Sequence, residues 1–166
     1  MKHPLIALPL SCLLLAIHSP DRAAAEQQAD DGPEEHEIYR LPDIEWEDGP
    51  DSLEEGARFA VLEGDPGKEA FFNMRLKFPD GFVINPHSHP AVERLTVISG
   101  VFRLGSGEEI EWDEATALEA GSYTSMPPGM NHFARAEGET VVQIATVGPW
   151  EVEYVNPEDD PRNGDD

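Results

Sequence analysis

Residues 81–100 read GFVINPHSHPAVERLTVISG, which places two histidines and a glutamate between two glycines. On a β-strand, residues two apart point to the same face, so His87 and His89 are expected to project together. Glu93 follows four residues later, beyond Pro90, and the next stretch of backbone can return it to the same interior point. The pattern predicts a cluster of imidazole and carboxylate groups carried by strands.

A third histidine, His132, follows the turn at 127–129 on a separate segment. Three imidazoles and one carboxylate are borderline ligands that suit Mn, Fe, Co, Ni, Cu or Zn and leave positions open for water and substrate. A lone His-x-His is weak evidence, because histidines often serve as hydrogen-bonded core residues. Three of the four histidines after residue 25, with a glutamate at ligand spacing, favour the metal site.

The surrounding sequence predicts strands and turns. Turn residues recur at short intervals, and the runs between them are rich in aromatic and β-branched residues. In 71–78, apolar and polar residues alternate, with Phe72 to Phe78 in steps of two on one face. Further strands are expected at 92–98, 141–147 and 150–155, and only 108–118 suits a short helix. The prediction is an all-β fold, a closed barrel or sandwich.

Composition excludes several classes of protein. The 166 residues hold 11 Lys and Arg against 34 Asp and Glu, a formal net charge of −23. The length suits one ordinary domain with a sizeable core. A chain this acidic would be repelled by nucleic acid and by anionic lipid, so neither is an expected partner. The 14 glycines and 15 prolines rule out a long coiled coil.

Residues 1–25 are typical of a secretory signal peptide. Lys2 gives a positive start, an apolar run follows, and three alanines at 23–25 offer a cleavage site. The run is too short for a confident membrane span, so we expect export to the periplasm or medium and no membrane attachment after cleavage. Cys12 leaves with this segment, which excludes thiolate and cysteine-zinc chemistry from the mature chain.

Most of the remaining charge lies in two flanks of the predicted domain. The acidic N-terminal segment, 26–55, holds 13 acidic residues, and the acidic C-terminal tail, 156–166, holds five. Such flanks are typical of solvated or strap-like chain that keeps an exported protein soluble, and recruitment of a cationic partner is the alternative. Part of the first flank is expected to pack on the domain through four apolar residues, namely Leu41, Ile44, Trp46 and Leu53.

These motifs resemble those of the cupin superfamily. The first cupin motif has a glycine, five residues, His-x-His, three or four residues, a glutamate, six residues and a glycine, and 81–100 meets every spacing. The second has a glycine, five residues, Pro-x-Gly, two residues and a histidine. It matches Gly121, 127–129 and His132, while Ala136 stands where an asparagine is common.

The resemblance extends over about 57–155 and implies a double-stranded β-helix, the cupin jelly-roll barrel with little helix, for a domain at 56–155. It also implies one divalent transition metal, Mn, Fe, Ni, Cu or Zn, whose ligands would be His87, His89, Glu93 and His132. The chain further resembles small exported cupins of unassigned function through a Gly-Asp-Pro segment at 64–66 and a closing run over 148–162.

Alternation from the ligands predicts which side chains line the metal cavity: Asn85, Leu95, Val97, Ala134 and Ala136. Because this set is mostly apolar, a small, partly hydrophobic organic substrate is expected rather than a sugar or a phosphate. A second, weaker set of candidates consists of Met74, Arg75, Tyr123, Met126, Phe133 and Gln143.

Three functions fit these features. The first is a metalloenzyme of dioxygenase type, with isomerase or hydrolase as alternatives, in which resemblance to cupin dioxygenases gives Glu93 a second role as catalytic base. The second is a non-catalytic module that holds a metal or a small ligand. A regulatory sensor is third, because no DNA-binding segment accompanies the barrel. A second general acid or base near the metal would separate the first two, and a homodimer is expected because cupin barrels often pair.

Overall fold

The computed structural model describes residues 36–163, so the predicted signal peptide lies outside the described residues. Within them, regular structure is almost entirely β-strand, and helix is limited to three short 3-10 turns at Leu41–Asp43, Pro157–Asp159 and Pro161–Asn163. No helix in this part of the chain is long and apolar enough to cross a membrane. The strands are β1 (Glu47–Asp48), β2 (Arg58–Gly64), β3 (Phe71–Phe78), β4 (Val83–Ser88), β5 (Glu93–Ser106), β6 (Thr116–Glu119), β7 (Tyr123–Met126), β8 (His132–Val147) and β9 (Glu153–Tyr154).

All nine strands pair antiparallel, and β8 is the centre of the arrangement. One edge of β8 pairs with β5 from Ser106 to Leu95, and its other edge pairs first with β4 and then with β3. The strand order is β1-β2-β3-β8-β4-β9, and β5 carries β6 and β7 on its far edge. The long strands β5 and β8 each pair with strands on both of their edges, so the curled sheet closes into a barrel. The predicted all-β double-stranded β-helix is confirmed.

The alternation in β3 fills one part of the barrel interior. Phe72, Met74, Leu76 and Phe78 are each 3% exposed or less, as predicted for the inward face of this strand. The ring of Phe78 stacks on two other aromatic rings, those of Phe82 at 5.0 Å and Phe102 at 6.0 Å. This apolar set buries its surface without needing any polar partner.

Two glycines in β5 are required by close packing. Gly100 has a φ of +77° at a shift in the β5–β8 register, and a Cβ there would lie 2.5 Å from the carbonyl oxygen of Glu139. At Gly105 a Cβ would overlap the ring of Phe133. The first glycine lets the strand bend, and the second lets a buried ring lie against its backbone.

One expectation about secondary structure is wrong, and another is confirmed only in part. Residues 108–118 form no helix: the chain turns at 112–114 and continues into β6, which pairs with β5. Pairing with a neighbouring strand satisfies this backbone better than an isolated turn of helix with a weak apolar pattern. In 150–155 a strand is present but short: only Glu153–Tyr154 is a strand, and it pairs with Ser88 and His87 of β4.

The N-terminal flank packs on the barrel only in part. Ile44 and Leu53 are buried at 9% and 7% exposure, while Leu41 is exposed. Trp46 is half-buried, and the ammonium group of Lys77 lies 4.7 Å from the centre of its ring. The expectation of packing is confirmed for Ile44, Trp46 and Leu53 and is wrong for Leu41.

Candidate metal centre

The four predicted ligands lie together where three strands begin or end. His87 is near the end of β4, with His89 just beyond it, and Glu93 and His132 are the first residues of β5 and β8. His87 is paired with His132 in the sheet register. All four side chains are buried, with exposures of 3% to 5%.

The ligand atoms of the cluster converge. One ring nitrogen from each of His87, His89 and His132 lies within 4.8 Å of the other two. The Oε2 atom of Glu93 is 3.4 Å from Nε2 of His89 and 3.4 Å from Nε2 of His132. The three imidazoles therefore form one group of possible ligand atoms, and the carboxylate of Glu93 adjoins this group beside His89 and His132.

Backbone carbonyl groups fix the orientation of every histidine ring. The Nδ1 atoms of His87, His89 and His132 lie 2.7, 2.6 and 2.9 Å from carbonyl oxygens, which belong to Asn85, Glu151 and Met130 respectively. A carbonyl oxygen can only accept a hydrogen bond, so each Nδ1 carries the proton. Each Nε2 is therefore left with a free lone pair, which is the form that binds a metal.

The donor set fits a transition metal, and the environment of one buried nitrogen atom supports this fit. Nε2 of His89 is buried and has no hydrogen-bond partner among the described residues. It faces the carboxylate of Glu93, and two acceptor atoms at 3.4 Å repel unless a proton or a cation lies between them. A divalent cation of the kind that imidazole and carboxylate prefer would satisfy both.

Electrostatics within the metal-free cluster points the same way. Burial lowers the pKa of His87 to about 3, and the two neighbouring imidazoles add to this effect. Burial also works against ionisation of Glu93, but His89 and His132 outweigh it and hold the pKa of Glu93 below its usual range. The pKa of His89 is raised, since Glu93 and the Glu151 carbonyl outweigh burial. These shifts leave His87 neutral and Glu93 ionised at neutral pH, which are the forms in which both residues bind a metal.

The cavity beside the cluster is small and apolar. Its volume is about 20 Å³, which is room for one water molecule or one metal ion and little more. Besides the four predicted ligands it is lined by Leu53, Leu76, Phe78, Ile84, Phe102, Met126, Ala134, Val142, Trp150 and Val152. None of these ten is an acid or a base, so the described lining supplies no second general acid or base.

Only part of the predicted lining is found. Ala134 and Met126 line the cavity. Asn85 does not, because the register shifts between Ile84 and His87, and three residue steps in β4 face two in β8. This bulge turns Ile84 inward and Asn85 to the other face, so the alternation counted back from His87 gives the wrong residue.

The other predicted lining residues lie elsewhere. Leu95, Val97, Ala136, Met74 and Phe133 are buried at 3% exposure or less, but they belong to the packed core outside the cavity. Three further candidates also lie outside the lining: Gln143 accepts a hydrogen bond from Arg75 at 3.1 Å, and Tyr123 is 59% exposed.

Eight lining residues were not predicted from the sequence. Five of them lie on the barrel strands, namely Leu76, Phe78, Ile84, Phe102 and Val142. The other three are Leu53, Trp150 and Val152. All three come from segments that fold back over the mouth of the barrel. The ring of Trp150 stacks on that of His89, with centroids 5.6 Å apart and planes 21° from parallel. A Gly-Pro-Trp run is the only local signal at Trp150, and strand alternation carries no information about it.

An antiparallel β-barrel with three inward histidines and a glutamate at the mouth defines a cupin-fold protein. The structural comparisons agree with this class. The chain belongs to the family described as "Domain of unknown function (DUF4437)", whose model matches residues 37–165. No curated protein sequence matches the chain.

Three solved structures illustrate the likeness. The polyketide cyclase RemF from Streptomyces resistomycificus is 16% identical with a TM-score of 0.63, over 77% of this chain and 91% of that one. An acetylacetone dioxygenase from Acinetobacter johnsonii is 16% identical with a TM-score of 0.58, over 75% and 80%. An RmlC-like cupin from Shewanella frigidimarina is 17% identical with a TM-score of 0.53, over 68% and 91%. At these identities the likeness shows the fold.

Proposed function

We propose that this protein is an exported metal-binding cupin that acts as a metal-dependent enzyme of dioxygenase type on a small organic substrate. The observation that carries the proposal is the set of three buried imidazoles whose Nδ1 protons are fixed by carbonyl groups. One ring nitrogen from each histidine lies within 4.8 Å of the other two, and the carboxylate of Glu93 lies 3.4 Å from Nε2 of His89 and of His132. A fold neighbour that is an acetylacetone dioxygenase supports the choice of reaction class.

The four buried polar residues have two proposed roles, metal binding and proton transfer. His87, His89, Glu93 and His132 would hold one divalent transition metal, with Mn, Fe, Ni, Cu and Zn all compatible with the ligand types. Such an ion supplies a Lewis-acid centre with open positions for a substrate oxygen and for dioxygen. Glu93 is ionised at neutral pH, since its pKa is held low. Glu93 would act as a base toward a substrate hydroxyl or enol when its carboxylate leaves the metal.

The apolar lining favours oxygenation over hydrolysis. Hydrolysis needs a water molecule to be activated and a leaving group to be protonated, which calls for a second acid or base. The described lining offers only Glu93 and the histidines. The same lining also excludes bulk water, which strengthens the electrostatic effect of every charge inside it.

Two observations favour a second candidate, a non-catalytic module that holds a metal or a small ligand. The first is that the described lining supplies no second general acid or base. The second is that the cavity of about 20 Å³ holds no organic substrate unless the segments over its mouth move. A pure binding role requires no such movement.

The test begins with metal content. The chain from Glu26 onward is purified from its native compartment and analysed by elemental mass spectrometry, beside a His87→Ala/His132→Ala double variant and His36→Ala as an exposed-histidine control. We expect close to one equivalent of metal in wild type and control, and loss in the double variant. An absence of metal from the folded wild type would overturn the metal site.

Activity is then measured as oxygen uptake with small substrates that present an enolate, catecholate or carboxylate oxygen. The dioxygenase proposal is supported if the bound metal is redox-active and if Glu93→Gln abolishes the oxygen uptake of the wild type. Zinc redirects the search to isomerisation or hydrolysis. Bound metal without turnover of any substrate class supports the binding module.

Export and pairing belong to the same proposal. The signal-peptide pattern of 1–25 is the support for export, and cell fractionation of the full chain tests it by locating the cleaved protein. A homodimer is proposed from the habit of cupin barrels to pair, and sedimentation equilibrium tests it.

A further inference from the structure

The mouth of the histidine cavity is covered by residues 148–155, here called the C-terminal strap. The strap is held at several points. The Trp150 backbone N–H donates to the carbonyl of Pro66 at 2.7 Å, and the Val152 carbonyl accepts from Arg162 at 2.8 Å. The Tyr154 hydroxyl donates to the carbonyl of Ser52 at 2.8 Å. A segment anchored along its length in this way presents fixed side chains to the cavity.

The strap is also bound to the metal ligands themselves. The Glu151 carbonyl accepts the Nδ1 proton of His89, and the Trp150 ring stacks on the ring of the same histidine. Tyr154 is paired with His87 in the sheet register, with ring centroids 5.8 Å apart. Two of the three histidines therefore depend on the strap for their position.

Trp150 has a polar atom that nothing in the described chain satisfies. Its Nε1–H is buried and has no acceptor among the described residues. Burying an indole N–H without a partner costs free energy, and buried tryptophans usually find one. Trp150 lines the same cavity as the three histidines and Glu93, so a ligand placed in that cavity can supply the missing acceptor atom.

From these observations we propose that Trp150 determines which ligand the site accepts. Its N–H donates a hydrogen bond to an acceptor atom of that ligand, and its ring restricts the ligand to a few heavy atoms while the strap is in place. While the strap is in place, the chemical class is a small anion or a diatomic molecule with a lone pair, such as the dioxygen of the proposed reaction. The organic substrate of that reaction enters only when the strap moves aside. This inference rests on the proposed metal-binding function, since it concerns the ligand that binds beside the metal.

The experiment uses the mature chain loaded with Co²⁺, whose visible absorption reports on ligand binding at the ion. Wild type is titrated with azide and with benzoate, a bulkier anion. We expect azide to change the spectrum and benzoate to have no effect at concentrations where azide saturates. Trp150→Phe keeps a ring on His89 and removes only the donor, so the azide dissociation constant should rise about tenfold.

Opening the mouth tests the size limit. Trp150→Ala should let benzoate bind. If the alanine variant loses cobalt, the same titration is made with Trp150→Leu, which keeps an apolar side chain over His89. Trp112→Phe is the matched control, because Trp112 packs on Phe133 away from the cavity, and its azide affinity should equal that of wild type.

The outcomes separate the two proposals. If the wild-type chain takes up no cobalt, the metal site and this inference fail together. If cobalt binds but azide is not bound, or Trp150→Phe binds azide as tightly as wild type, only the inference is overturned. Equal binding of benzoate and azide by wild type also overturns it.

Discussion

The barrel interior contains two regions with opposite requirements. Around Phe72 and Phe78, apolar side chains bury one another and need nothing further. Around His89 and Glu93, two acceptor atoms face each other across 3.4 Å in an almost dry cavity. The first region stabilises the fold by itself, whereas the second costs free energy until a cation or a proton occupies it. Substitutions in the two regions should therefore differ in whether their effect depends on metal.

The largest effect on stability is expected in the apolar region. Phe72 has 0% exposure, and Phe72→Ala removes a whole ring from a close-packed interior, which typically costs about 3–5 kcal/mol. Chemical denaturation should show this loss equally with and without metal. Phe71→Ala, on the half-buried outer face of the same strand, is the matched control and should cost much less. A Phe72→Ala loss that depends on metal would break the separation between the two regions.

Metal removal should give the next largest effect, and it acts through the histidine region. Ligand linkage predicts a loss of about 2.7 kcal/mol when chelation removes a metal present at 100 times its dissociation constant. His132→Ala should have the same stability with and without added metal, while His36→Ala should respond like wild type. Thermal unfolding with and without chelator measures all three. An equal response of wild type and His132→Ala would place the bound metal elsewhere.

The same contrast explains what sequence could and could not predict. The inward face of β3 and the shared face of His87 and His89 follow from alternation, which is a local property. That His132 joins them with Glu93 is implied by the resemblance to the two cupin motifs. The inward position of Ile84 depends on a register shift against β8, which no local pattern encodes. The place of Trp150 beside His89 depends on how the C-terminal strap folds back onto the barrel, where the carbonyl of Glu151 accepts the Nδ1 proton of His89, 62 residues earlier in the chain.

The histidine region and the apolar region should also differ in how the free energy of unfolding depends on pH. In the metal-free protein the pKa of His87 is lowered to about 3, from about 6.5 when unfolded. Between these values the unfolded chain binds a proton that the folded chain does not, so stability falls as pH falls, by at most about 1.4 kcal/mol per pH unit.

His89 acts in the opposite sense, because its pKa is raised in the fold. Its contribution is fully present below the unfolded pKa and is lost as pH rises through the folded value. His87→Gln should therefore reduce the slope of the unfolding free energy against pH on the acid side. Phe72→Ala should lower the unfolding free energy at every pH without changing this slope. Urea titrations of metal-free protein across pH 4 to 7 measure the slopes. An unchanged slope in His87→Gln would contradict the assignment.

The smallest effect is expected on the outer surface, where solvent already satisfies the charges. Arg103 and Arg135 both donate to the carboxylate of Glu137, at 2.6 and 3.0 Å, and this lowers the pKa of Glu137. A depressed carboxylate pKa contributes stability above the unfolded value, and the contribution is lost as pH falls through the folded one. Glu137→Gln should lower the unfolding temperature slightly at pH 7 and have no effect in acid, because exposed ion pairs contribute little. Glu139→Gln, two residues further along β8, should have no effect at either pH. If Glu137→Gln alters metal content, the ion-pair cluster and the histidine site are coupled through β8, and the regions do not act independently.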